Sequence, residues 1–268
     1  MITSFSASPG IDVISSTVEI PMLGSLAVNA FVLHGPEPVL VDTGIVAERE
    51  EFLAVLRTVI DPADLRWLWL THTDPDHIGA IPDLLDASPQ LRVITTFLGV
   101  GILNLFAPLP IDRVNFVNPG ESITVGDRTL TAVKPPAFDN PSTTGFFDDR
   151  SRGLFSSDCF GALLSAVPES AVELDAEELR AGQTFWATID APWLHTVDTA
   201  DFDRVLDGIR RIEPDMVLSS HLPPAPGRML GQLVDTLAEA KAAPPFVGPD
   251  QAALDQLLAQ MAAAGSPA

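Results

Sequence analysis

Two histidines and two aspartates share one six-residue window, His72-Thr73-Asp74-Pro75-Asp76-His77. Imidazole nitrogens and carboxylate oxygens are the usual ligands of divalent metals. Two carboxylates crowded into a turn repel each other unless a cation neutralises them. The window therefore reads as a metal loop; the competing reading is a solvated acidic turn in which Asp74 or Asp76 caps the helix behind it. The chain has five histidines, His34, His72, His77, His195 and His221. His195 lies between two expected helices and reads as a surface or packing residue, with proton donor to a pocket as the second reading. His34, before Gly35 in an expected hairpin, reads as solvent-facing.

The elements that must position this window can be read from periodicity. The apolar run Leu65-Arg66-Trp67-Leu68-Trp69-Leu70 predicts a buried strand, in which Trp67 and Trp69 belong to the core. The window then falls at a strand end, where open α/β architectures place their sites. Further strands are expected at 15–20, 26–35, 38–44, within 112–160, and at 215–220 just before His221. A helix is predicted over 47–60, with Phe52, Leu53, Leu56 and Ile60 on one face, acidic residues at its start and Asp61-Pro62 at its end. A short helix is expected to start near His77, and others at about 175–183, 200–212 and 227–242. Residues 248–263 read as an amphipathic helix that lays Leu254, Leu257, Leu258 and Met261 on the body, followed by a frayed end at 265–268. Trp186 and Trp193 read as packing residues or as pocket walls. With strands in two clusters, each followed by helices, a layered α/β sandwich is expected. No linker interrupts it, so residues 1–268 read as one domain with a C-terminal helical extension at about 245–263.

Composition narrows the function classes. Hydrophobic residues at 46% against 19% charged exclude a disordered chain. A net charge of −21 disfavours nucleic acid and anionic membranes as partners. The most apolar stretch, 97–110, is broken by prolines and too short to span a bilayer. The single cysteine, Cys159, can form no internal disulfide, and the first ten residues lack a secretory pattern; both lead to the expectation of a cytoplasmic protein. Cys159 is expected to be buried and inert.

Taken in order, four segments resemble the metallo-β-lactamase superfamily. The window 72–77 is similar to its first metal motif, Val39–Gly44 with Asp42 to its early strand and the acid behind the metal loop, Phe155–Gly161 with Asp158 to the segment of the bridging aspartate, and Ser219–Pro224 with His221 to the loop of the last histidine. The resemblance implies an αββα sandwich with metals at one edge of two sheets. Its nearest branch is the flavodiiron, or oxygen-binding diiron (ODP-like), group. A carboxylate, Asp74, stands where the hydrolases usually carry histidine, and Ser156-Ser157-Asp158-Cys159-Phe160-Gly161 follows that branch's ending. Two departures stand out. Aspartate replaces glutamate at Asp74, and the branch's third histidine is absent, with Asp139-Asn140-Pro141 in its register. The resemblance makes Asp139 a substitute ligand; the residues alone equally allow Asp139 to start an Asx turn before Pro141.

Carried over residue by residue, the resemblance gives one metal His72, Asp74, Asp139 and a bridging Asp158, and the other Asp76, Asp158, His221 and His77. Four carboxylates match the charge of two divalent ions, damp their Lewis acidity and favour iron, or manganese, over zinc. The expected function is a diiron protein that binds or reduces O2, NO or peroxide, with Asp76 and His77 as the residues closest to the chemistry. No flavodoxin-like module follows, so a separate electron-donor protein is expected, and pairing into a homodimer is implied. A dinuclear hydrolase of an ester, lactone or phosphoester is the alternative, in which Asp76 orients a metal-bound hydroxide; a degenerate, non-catalytic metal-binding protein is the third reading.

Overall fold

The computed structural model describes residues 1–263, so the terminus expected to fray lies outside the described residues. Seven strands form the first sheet in chain order: β1 (Ile2–Ser8), β2 (Ile11–Ile20), β3 (Gly24–Leu33), β4 (Val39–Val41), β5 (Trp67–Trp69), β6 (Arg92–Thr95) and β7 (Val114–Phe116). The first four pair antiparallel; β4, β5, β6 and β7 pair parallel. Parallel neighbours need crossovers, and α1 (Arg49–Val59), α2 (Ile81–Ala87) and α3 (Phe97–Leu103) supply them.

The second sheet comprises β8 (Ser122–Val125), β9 (Arg128–Val133), β10 (Gly145–Asp148), β11 (Gly153–Phe155), β12 (Met216–Leu218) and β13 (Ala225–Pro226), in spatial order β13-β12-β11-β10-β9-β8. Its one parallel pair is β11–β12, bridged by α4 (Ala176–Asp190) and α5 (Thr199–Arg210); α6 (Leu230–Ala240) and α7 (Gln251–Ala263) follow. Three apolar clusters divide the interior, one between the sheets and one between each sheet and its helices. This is the layered αββα sandwich expected from the sequence.

Alternation along β5 shows how the layers are written into the chain. Trp69 points between the sheets, while Leu68 and Leu70 join α1 and α2 on the other face. Trp67 lies at the edge of the same inter-sheet cluster, with its indole N–H on Glu37 at 2.7 Å. Phe155 anchors the inter-sheet layer, stacked on Phe146 at 4.4 Å and edge-on to Phe31 at 5.4 Å. No helix among the described residues is long and apolar enough to cross a membrane.

Several boundaries differ from expectation. The first helix stops at Val59: Phe52, Leu53 and Leu56 are buried, but Ile60 is already extended ahead of Asp61-Pro62. The helix after the metal window starts at Ile81, not near His77, because the His77 carbonyl accepts from the Thr43 N–H and Oγ1 and is taken out of any helical ladder. The fourth helix runs on to Asp190, beyond the expected 183. Strands β1, β6 and β13 and helix α3 are not among the expected elements, and within 112–160 the expected strands do not include β10. The last helix forms, but of the four residues expected to pack only Leu257 is half-buried: Leu254 is 45% exposed, Leu258 50% and Met261 37%. Alanines 252, 253, 259 and 262 make its other faces nearly as apolar, so no single stripe is driven inward.

Phe155→Ala is expected to cost about 3–5 kcal/mol of stability, the range for emptying a buried aromatic site, read as a fall in the urea midpoint at unchanged slope.

Candidate metal centre

The parallel pairs β4–β5 and β11–β12 point their C-terminal ends at one edge of the sandwich. Asp42 follows β4, the 72–77 window follows β5, Asp158 follows β11 and His221 follows β12. Strand β3 ties the two sheets together there. The Asn29 amide Nδ2 donates to the carbonyls of Ser219 (3.0 Å) and Leu222 (2.9 Å), and its backbone N–H to Ser220 (2.8 Å). Two glycines permit close approach. A Cβ at Gly79 would sit 2.6 Å from the Ile45 carbonyl oxygen, and one at Gly161 would sit 2.7 Å from His221 Cβ. Three non-glycine residues of this edge adopt left-handed backbone: Asp42 (φ 58°), Ser157 (φ 54°) and Phe160 (φ 71°). Such strain persists where surrounding structure over-determines it, commonly at functional sites.

Asp158 is the hub. Its Oδ2 lies 3.2 Å from His72 Nε2, and its Oδ1 lies 3.3 Å from both His77 Nε2 and His221 Nε2. Asp76 Oδ2 reaches the last two rings at 3.2 and 3.4 Å. His72 and His77 are fully buried, and Asp158 is 3% exposed. His72 Nε2, His77 Nε2 and Asp158 Oδ1 are buried atoms with no hydrogen-bond partner.

Hydrogen bonds on the far side of each ring fix which nitrogen keeps its lone pair. His221 Nδ1 lies 2.7 Å from the Ala27 carbonyl, which can only accept, so Nδ1 carries the proton. His77 Nδ1 donates to Asp42 Oδ2 at 2.9 Å. The same Asp42 oxygen takes the Thr71 hydroxyl proton at 2.7 Å, which leaves Thr71 Oγ1 to accept from His72 Nδ1 at 3.1 Å. Asp42 thereby sets two tautomers, one directly and one through Thr71. All three Nε2 lone pairs converge on carboxylate oxygens, acceptor facing acceptor.

The remaining acids gather on the His72 side. Single ligand atoms of His72, Asp74 and Asp139 lie within 4.8 Å of one another, as do those of Asp76, His77 and His221, and those of His72, His77 and Asp158. Each residue named from the sequence, His72, Asp74, Asp76, His77, Asp139, Asp158 and His221, therefore stands at this one edge. The Asx turn in the Asp139 segment belongs to Asn140: its Oδ1 accepts from the Ser142 N–H at 2.9 Å, and its Nδ2 donates to Asp74 Oδ1 at 2.8 Å. Asn140 thus aims Asp74 and frees Asp139 from the turn-forming role. Trp193 Nε1 donates to the Phe138 carbonyl at 2.8 Å, and Lys134 Nζ to that of Thr143 at 2.8 Å, closing the same loop.

Asp190, at the end of α4, brings a third carboxylate within 4.8 Å of Asp139 and Asp158. Sequence reasoning missed it, because the helix was expected to end sooner. Trp186 packs edge-on to His221 at 4.9 Å. His195 is exposed, and His34 is half-buried against Asp12 at 2.8 Å instead of facing solvent freely. Cys159 is buried in the turn after β11, and burial pushes its thiol far up, leaving it inert.

Protons stand in for cations in the metal-free protein. Against the opposing effect of burial, Asp158 raises His72, and Asp76, Asp158 and Asp42 raise His77 well above the ordinary imidazole range. The rings in turn hold Asp158 and Asp76 well below the usual carboxylate range, again against burial. Asp139, at the exposed rim, is pushed up to about 7 by partial loss of water and by Asp158, with His72 pulling the other way and Asp74 adding to the rise. Burial, then Asp158 and Asp139, push Asp190 well above its usual value.

A family model described as ODP family beta lactamase matches residues 26–221, a span that begins in β3 and ends on His221. The chain belongs to that family. Diflavin flavoprotein A 1 of Synechocystis is 28% identical over 145 residues, covering 54% of this chain and 25% of that protein. Among solved structures, rubredoxin oxygen:oxidoreductase from Desulfovibrio gigas superposes with a TM-score of 0.79 at 20% identity, over 90% of this chain and 62% of the other. The flavodiiron protein from Giardia intestinalis gives 0.77 at 17% identity, over 90% and 60%. At such identities the structural likeness establishes the fold alone. The chain spans about a quarter of the length of the first curated relative and under two thirds of either solved chain.

Without metal, stability of this ODP-family chain should fall as pH rises. Raised His72 and His77 contribute fully below about pH 6.5 and less above it, and raised Asp139 and Asp190 contribute fully below about pH 4 and progressively less above it. Lowered Asp76 and Asp158 lose their contribution only below about pH 4. The metal-free protein is therefore expected to have a higher urea midpoint at pH 5 than at pH 8, and saturating metal should shrink the difference as cations replace protons.

Proposed function

We propose that this chain is a dinuclear non-haem iron protein that binds or reduces a diatomic ligand, O2 or NO. The observation that carries the reading is the convergence of three imidazole Nε2 atoms on the buried Asp158 carboxylate, a cluster of acceptors that needs positive charge among them. The donor set suits two ions: His72, Asp74 and Asp139 on one side, Asp76, His77 and His221 on the other, Asp158 between. Two iron ions held there would supply the electrons and the open coordination positions that a diatomic ligand needs.

The protein's part is placement. Asp42 and the Ala27 carbonyl keep the three rings in the ligating tautomer, and such outer partners raise the basicity of an imidazole ligand. Asp76, held ionised by His77 and His221, faces the second ion. Asn140 aims Asp74 at the first. Four carboxylates against three imidazoles favour hard, oxidisable ions over zinc hydroxide chemistry, which sets the hydrolase reading second. The names of the two solved proteins, an oxygen:oxidoreductase and a flavodiiron protein, support the same direction. Electrons are proposed to arrive from a separate donor protein, and two copies of the chain are proposed to pair.

Protein produced with iron should contain close to two iron atoms per chain by elemental analysis and show oxo-bridged absorption; stoichiometric zinc with no iron uptake would transfer the assignment to the hydrolase. Asp158→Ala should release both ions, whereas loss of one alone would speak against a shared bridge. Asp42→Asn should weaken both sites by about 10–100-fold, as removal of an outer-shell partner does, measured by competition with a chelator.

A further inference from the structure

We propose that Asp190 is a further metal ligand of the first site, standing with His72, Asp74, Asp139 and Asp158. The inference rests on the two-metal reading and adds to it a residue from an element, the end of α4, which that reading leaves out.

The geometry starts from the three carboxylates. One oxygen each of Asp139, Asp158 and Asp190 lie within 4.8 Å of one another. Metal–oxygen bonds of about 2.0–2.2 Å let a single ion touch ligands so spaced, with small adjustments of the side chains. Asp190 is 7% exposed, and two further carboxylates, Asp139 and Asp158, stand within 4.8 Å of its own. It also ends a helix, where the carbonyl end of the dipole disfavours a negative charge. A second, independent observation points to a cation site here: Asp158 Oδ1 and His72 Nε2 are buried and have no hydrogen-bond partner. Burying a carboxylate with neither partner nor counter-ion is costly, and the end of α4 does so with Asp190 beside the carboxylates of Asp139 and Asp158. A cation between the three would remove that cost at Asp190 and the mutual repulsion of all three carboxylates.

The consequence is a first site richer in oxygen than the second. It would have one imidazole among its donors, while the second has two, so the two ions would differ in hardness.

Asp190→Asn tests this, because the amide keeps the shape and removes the charge. The full chain, stripped of metal, is titrated with Co(II) and with Fe(II) under anaerobic conditions, following ligand-field absorption and the number of ions bound. Wild-type protein is expected to take two ions, and Asp190→Asn to retain one at wild-type affinity while the other weakens by about tenfold or more, the least a lost ligand should cost, with its absorption shifted. Metal-free Asp190→Asn should melt no lower than metal-free wild type, since a buried charge has gone; Asp190→Glu should recover part of the lost affinity. Two ions bound by Asp190→Asn with unchanged affinity and spectrum would overturn the assignment and leave Asp190 a neutral filler. Wild type binding fewer than two ions would overturn the two-metal reading itself, and this inference with it.

Discussion

Acceptor faces acceptor at the edge of this sandwich, and that is the constraint around which the molecule is arranged. Lone pairs of His72, His77 and His221 meet the oxygens of Asp158 and Asp76 at 3.2–3.4 Å. Such an arrangement is repulsive unless positive charge enters it, as protons in the metal-free state or as metal ions in the loaded one. The scaffold must hold the groups together before the charge arrives. It does so by accumulating backbone cost in the left-handed residues Asp42, Ser157 and Phe160 and by suturing β3 to the His221 loop through Asn29.

The two sheets divide this labour. Parallel strands β4 and β5 deliver Asp42 and the metal window from the first sheet; β11 and β12 deliver Asp158 and His221 from the second. Because each pair is parallel, their ends coincide, and groups distant in sequence arrive at one edge without long loops. The inter-sheet core of Phe31, Phe146, Phe155 and Trp69 sets the spacing between the two halves of the site. Trp69 also donates from its indole to the Thr144 carbonyl at 3.2 Å, so a core residue touches the loop that follows Asp139.

What could be read in the sequence was whatever its own neighbours specify. The 72–77 window declares itself because four ligand types sit within one turn, and the strand before it alternates Trp with Leu. Asp158 and His221 were legible because each follows an apolar strand within a recognisable segment. The order of layers followed from the clustering of strands. Asn140 and Asp190 were not legible, for different reasons. Asn140 sits beside the residue that attracted notice, and only the fold shows that its Oδ1 makes the turn while its amide holds Asp74. Asp190 depends on where α4 stops, which tertiary contacts decide: Gln183 is buried with its amide on the Leu233 carbonyl, and Ala187 packs into the core beyond it. Local propensity offered no reason to carry the helix that far. The exposed α7 shows the converse error, since apolar spacing without a polar opposite face does not determine a docking side.

The linkage from Asp42 through Thr71 has a further physical consequence for any two-ion centre built here. His77 belongs with the second group of donors and His72 with the first, yet one carboxylate fixes both rings. A change of charge at either ring alters the hydrogen bond that Asp42 Oδ2 accepts on the other side, from His77 directly or from His72 through Thr71, since strengthening one bond to Oδ2 draws density from the one beside it. Asp158 couples the same pair from the opposite side, with one oxygen on each ring. The two rings are thus joined in a closed loop of carboxylate–imidazole contacts, a route by which oxidation or loss of one of two bound ions would reach its neighbour without movement of the backbone. A site that passed electrons through both ions would gain from that coupling.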